Sequence, residues 1–122
     1  MTWEPFVEGI SWAYQSTCIL LMKNIVIDSE KLVERTLVDL IKKEGGLCIK
    51  LSSQHFIGLP DRLCLMPNRQ VVFVELKTTK QKPRKIQAYV HEKIRKLGFR
   101  VEVIDSVQGV KELVNEIKNL PF

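Results

Sequence analysis

The stretch from Val71 to Lys77, VVFVELK, narrows most sharply what this chain can fold into. An apolar run ending in Glu-Leu-Lys reads as a strand, and residues two apart in a strand share a face. Glu75 and Lys77 therefore stand side by side, with Phe73 beneath them and Leu76 pointing into the other side of the sheet. Just upstream, Pro67-Asn68-Arg69-Gln70 is a short hairpin connection, and DRLCLM (61–66) is the strand before it, with Asp61, Leu63 and Leu65 on one face. Antiparallel pairing through so short a loop places Asp61 near the end of the hairpin where Glu75 and Lys77 lie. Gly58 and Pro60 punctuate the turn that delivers Asp61.

The remaining elements follow from periodicity. Asp28 or Ser29 caps a helix running to about Glu44 and ended by Gly45-Gly46, with Val33, Leu37, Leu40 and Ile41 as its core stripe. Glu34 lies about 60° from Leu37 and about 20° from Ile41 around that helix, at the edge of the stripe. An acid so placed needs a partner: a lysine, or a cation at a site. Leu47 to Leu51 is a short strand with Lys50 opposite Leu47, Ile49 and Leu51. His55 lies in the loop that follows, a loop residue or a phosphate contact rather than a metal ligand. Pro83 fits the first turn of a helix from about Arg84 to Leu97, with Ile86, Val90, Ile94 and Leu97 as its core stripe and Gln87 facing inward at its start. Gly98 ends it. The strand from Phe99 to Ile104 is reached by a right-handed crossover, so it runs parallel to VVFVELK. Ser106 caps a last helix, with Val107, Val110, Val114 and Ile117 inward. The expected class is α/β, in the order α-β-β-β-α-β-α, with a mixed central sheet flanked by helices.

At 122 residues the chain suits one domain, expected over residues 28–122, preceded by an extension over 1–27. The extension holds Trp3, Trp12 and the apolar run Cys18 to Met22, too short to span a bilayer and lacking a basic leader. It reads as a packing arm, or as residues preceding a natural start at Met22. The cysteines, Cys18, Cys48 and Cys64, have neither a CxxC pair nor metal-ligand spacing, so they read as reduced thiols of a cytoplasmic protein. The net charge of +5 leans toward a polyanionic partner. No acidic residue occurs between Leu76 and His91, whereas Lys77, Lys80, Lys82, Arg84 and Lys85 are basic. Alone, such a run is more often a solvated loop.

The chemistry that needs this combination is phosphodiester hydrolysis. It requires an activated water, stabilised negative charge on phosphorus and a protonated leaving group. Divalent metals supply much of this when carboxylates hold them. Asp61 and Glu75 are the candidate metal ligands, with the Leu76 carbonyl as a further oxygen. Lys77 would orient the water or stabilise the developing charge. An isolated Glu-x-Lys is more often a solvated ion pair, so the inference rests on the combination.

That combination resembles the PD-(D/E)XK nuclease superfamily through Pro60-Asp61 and Glu75-Leu76-Lys77, and more closely the VRR-NUC (virus-type replication-repair nuclease) family. ERTLVDLIKKEGG, GLPDR, FVELK, KPRKIQ and FRVEVIDSVQGV carry the likeness, over about Asp28 to Leu120. The resemblance implies a restriction-endonuclease-like core, Mg2+ or Mn2+, and a homodimer that cuts branched DNA such as four-way junctions. Flap-directed, restriction-type or non-catalytic DNA-binding relatives are the alternatives. It implies catalytic roles for Asp61, Glu75, Lys77, Glu34 and Gln87, and DNA contacts by Arg62, Lys80, Lys82, Arg84, Lys85 and, at the edge, Lys50. A tyrosine often follows the glutamine in the family. Here Tyr89 stands two residues after Gln87 and His91 four.

Overall fold

The computed structural model describes residues 28–78 and 81–122. The extension over 1–27 and Lys80 lie outside the described residues. The elements are α1 (Glu30–Lys43), β1 (Leu47–Lys50), β2 (Arg62–Leu65), β3 (Val71–Leu76), α2 (Lys85–Lys96), β4 (Arg100–Ile104) and α3 (Val107–Lys118), the expected order. The strands form one sheet in the order β1-β2-β3-β4, antiparallel except for the β3–β4 pair. The crossover through α2 produces that parallel pair, and no hairpin could.

Local chemistry explains the boundaries. The Ser29 side chain accepts from Leu32 N and caps α1, while the Ser106 side chain accepts from Gly109 N and caps α3. Gly45, at φ +82°, takes the left-handed conformation that ends α1. Between β2 and β3, Met66 N donates to Gln70 O and closes the hairpin. Asn68 leans out of that turn and donates to the Ile117 and Leu120 carbonyls, both at 2.8 Å, fastening the hairpin to the end of α3.

The two sheet faces have different jobs. One carries Cys64, Met66, Val72, Val74, Leu76 and Ile104 against Val33, Leu37 and Ile41 of α1 and Val110, Leu113, Val114 and Ile117 of α3. This is the main core, and Leu113 joins it although the periodicity reading did not include it. Val107 is only half-buried. The other face receives α2.

There the expected stripe is corrected. The buried residues of α2 are Gln87, Val90 and His91, whereas Ile86 and Leu97 are exposed. At 100° per residue the docked arc is rotated by about 60° from the apolar stripe. Ile94 and Leu97 instead line an open apolar groove with Phe56, Leu59 and Phe73. No helix among the described residues is long and apolar enough to cross a membrane.

Candidate active site

The site sits where β3 leaves the sheet. The Arg62–Val74 pair is the last in the β2–β3 ladder, and one step further the antiparallel register sets Asp61 beside Glu75. The turn before Asp61 depends on Gly58, at φ +93°. A β-carbon there would meet the Ile86 carbonyl and the Val90 side chain, each at 2.8 Å. Glycine thus lets the loop lie directly on α2, with Pro60 fully buried behind it.

Asp61 Oδ2 accepts the backbone N–H of Leu76 at 2.8 Å, which holds the carboxylate against the end of β3. Glu75 is 1% exposed. Its Oε2 accepts from Gln87 Nε2 at 2.8 Å and lies 3.0 Å from Lys77 Nζ. Lys77 Nζ also donates to Gln87 Oε1 at 3.1 Å, closing a triangle of acid, lysine and amide. Gln87 Oε1 further accepts from Arg84 N at 2.9 Å, so the same amide caps the start of α2. Asp61, Glu75, Lys77 and Gln87 are thus brought together.

Glu75 is a costly residue to place here. Burial raises its carboxyl above the ordinary value, and the Asp61 charge adds to this, against the hydrogen bonds and charge of Lys77 and the hydrogen bond from Gln87. Its Oε1 is buried with no hydrogen-bond partner. His91 Nε2, also buried and without one, lies 3.9 Å away. Burial, then the charges of Arg95 and Lys77, lower the His91 pKa, which favours the neutral imidazole. The sequence reading assigned His91 no role. The signal that could have found it is its position one helical turn after Gln87 on the same arc.

Glu34 is not part of this group. Its Oε2 receives Arg62 Nε at 3.0 Å and Nη2 at 2.9 Å. Arg62 also donates to the Cys48 carbonyl at 3.4 Å. Strand parity is the reason: Arg62 points to the α1 face, one residue from Asp61 but on the opposite side. Its guanidinium is therefore held within the protein. Lys50 pairs across the ladder with Arg62 and is exposed. Lys82, Arg84 and Lys85 are exposed at the start of α2, whose first turn contains no acid. Three cations there oppose the helix dipole and suit an incoming anion. His55 lies in the exposed 52–57 loop.

Among the described residues no three His, Cys, Asp or Glu side chains form a metal cage. Two carboxylates are nevertheless an adequate protein share for a hard cation that keeps waters and binds substrate phosphate. Asp61 and Glu75 fit that role. The unpartnered Glu75 oxygen and the mutual proximity of the two acids mark a site short of positive charge beyond what Lys77 provides.

A mixed sheet that brings two acids and a lysine to one strand end has the form of the PD-(D/E)XK nuclease class. Comparisons with known proteins agree. The chain is 39% identical over 77 residues to "Putative nuclease p44" of Acyrthosiphon pisum secondary endosymbiont phage 1, a match covering 63% of this chain and 83% of that protein. It superposes on a solved structure described as a VRR_NUC domain with a TM-score of 0.67 and 32% identity, covering 72% of this chain and 97% of that one. No protein-family model matches. The chain belongs to the VRR-NUC family of nucleases.

Proposed function

We propose that this protein is a Mg2+- or Mn2+-dependent endonuclease that hydrolyses phosphodiester bonds in branched DNA, four-way junctions above all. The observation that carries this is the hold on Glu75: a buried carboxylate beside Asp61, gripped on one oxygen by Lys77 and Gln87 and left unpartnered on the other. A fold has no need of such an arrangement, and it weakens one.

Asp61, Glu75 and the Leu76 carbonyl would hold the ion, which when bound supplies Lewis-acid stabilisation of the phosphate and a more acidic water. Lys77 orients the attacking water and offsets charge on the phosphate. Gln87 fixes Lys77 and Glu75 relative to each other. Glu34 acts at one remove, by holding Arg62 next to Asp61. Lys82, Arg84 and Lys85, with Lys80 before them, receive the phosphate backbone as it passes the site, and Lys50 meets it at the sheet edge. A homodimer suits a junction, because two-fold symmetry presents one centre to each of two equivalent strands.

The test is cleavage of labelled four-way junction and linear duplex in Mg2+, Mn2+ and EDTA by the native protein and Lys77→Ala, with binding measured in parallel. The expected result is metal-dependent cutting of the junction, lost in Lys77→Ala while junction binding is kept. Equal cutting of duplex would remove the junction preference. Cutting that ignores Lys77 would overturn the assignment of the site.

A further inference from the structure

Cys48 and Cys64 stand directly opposite each other on β1 and β2. Leu51 N donates to Asp61 O, so that pair is a hydrogen-bonded one. Alternation along the ladder then makes Cys48–Cys64 a non-hydrogen-bonded pair, the closer kind, with α-carbons about 4.5 Å apart. That spacing lies inside the range of roughly 4.4–6.8 Å that disulfides bridge. Both thiols are free, and their sulfurs are 3.8 Å apart.

The two cysteines are not equivalent. Cys64 is fully buried in the main core, whereas Cys48 is half-buried on the edge strand. The hydrogen bond between them lowers the Cys48 pKa, as do the charge and hydrogen bond of Arg62, against burial and the Glu34 charge. The same hydrogen bond, then burial, raise that of Cys64. Cys48, the less buried of the two residues, is therefore the better nucleophile, and Cys64 keeps its proton.

We propose that Cys48 and Cys64 form an oxidant-reactive dithiol that a peroxide or a small-molecule disulfide converts to a cross-strand disulfide. With a peroxide, the Cys48 thiolate attacks one oxygen, the O–O bond breaks, and Cys48 becomes a sulfenic acid as hydroxide leaves. The Cys64 thiol then attacks the Cys48 sulfur; the S–O bond breaks, the S–S bond forms, and water carries away the Cys64 proton. With a small disulfide, Cys48 first forms a mixed disulfide and expels one thiolate. Cys64 then displaces the second thiol. Either way two thiols lose two electrons and the oxidant gains them. The product staples the edge strand β1 to β2, beside the Arg62 contact with the Cys48 carbonyl.

The experiment uses the full chain carrying Cys18→Ser, treated natively with oxidised glutathione and, separately, with hydrogen peroxide, then alkylated and analysed by intact mass and peptide mapping. The expected product is a monomer lighter by two hydrogens, unreactive to alkylation, with residues 48 and 64 in one cross-linked peptide and both thiols restored by dithiothreitol. Cys64→Ser should accumulate a stable glutathione adduct on Cys48. Cys48→Ser, with its melting temperature checked, should react at least tenfold more slowly. A glutathione adduct that persists in the two-cysteine chain, two thiols that survive both oxidants, or Cys48→Ser reacting at the parental rate would each overturn the proposal.

Discussion

Gln87 Nε2 donates to Glu75 Oε2 at 2.8 Å, so a residue on α2 holds the acid at the end of β3. The other end of the same amide accepts from Lys77 at 3.1 Å. The acid and the lysine, which share one strand face, are thereby fixed relative to each other by a residue ten positions further along the chain. An amide suits this work, because one side chain offers both a donor and an acceptor.

Replacing Gln87 with alanine should damage rate more than substrate binding. The expected fall in the single-turnover cleavage rate is about 10–100-fold, the cost of a small misplacement of reacting groups. The KM for DNA should change little. Stability should fall by about 1–3 kcal/mol, because Glu75 loses a donor in a buried setting. Single-turnover kinetics and a urea titration check the two effects separately.

Glu75→Gln should abolish cleavage and stabilise the fold. The folded carboxyl is raised above its ordinary value of 4.5. A raised folded pKa contributes stability below the unfolded value and loses it as pH rises through the folded one. Above its folded value the native protein therefore bears the cost of an ionised buried acid that the amide avoids, while glutamine still accepts from Gln87 and Lys77. The variant should be more stable there by about 1 kcal/mol, or about 3–6 °C in melting temperature. That advantage should fade as the pH falls toward 4.5. A variant less stable at neutral pH would mean that the Lys77 pair outweighs desolvation.

His91 gives the pH profile a second, separable slope. Its pKa is lowered from 6.5, chiefly by burial and then by Arg95 and Lys77. The unfolded chain takes up the proton first on acidification, so this contribution to stability is present above 6.5 and is lost as pH falls through the lowered folded value. Between pH 7 and 5.5 the native protein should lose up to about 1.4 kcal/mol per pH unit relative to His91→Gln. Parallel stability curves for the two proteins would show that the fold does not lower the His91 pKa.

Substituting Lys82, Arg84 and Lys85 together with alanine should weaken DNA binding uniformly across sequences. The salt dependence should also flatten, since each lost phosphate contact removes about 0.9 from the slope of log K against log salt. Because these side chains are exposed, the melting temperature should barely move. Fluorescence anisotropy at several salt concentrations reads both quantities.

Much of the centre is legible in the sequence. A two-residue period decided that Glu75 and Lys77 share a face, and a short hairpin decided that Asp61 returns to the same end. Both are local rules that need no knowledge of the rest of the fold. The inward position of Gln87 followed from helical angles in the same way. Other points were beyond such rules. Periodicity specifies angles around a helix axis but not which arc docks, and α2 turned Gln87, Val90 and His91 to the sheet rather than Ile86, Ile94 and Leu97.

The sequence by itself determined the order of the elements and the pairing of acid with lysine, because these rest on contacts close along the chain, and it determined the mixed sheet because a helical crossover between neighbouring strands makes them parallel. Only the tertiary structure decided what each long-range polar group meets. Glu34 reads as an inward acid either way, but the side from which Arg62 rises makes it that arginine's partner, 28 residues away. His91 reads as an ordinary helical residue until α2 packs on β3 and sets its ring nitrogen 3.9 Å from the unpartnered oxygen of Glu75. Such meetings depend on how whole elements dock, a balance of burial over many side chains that no single stretch of residues encodes.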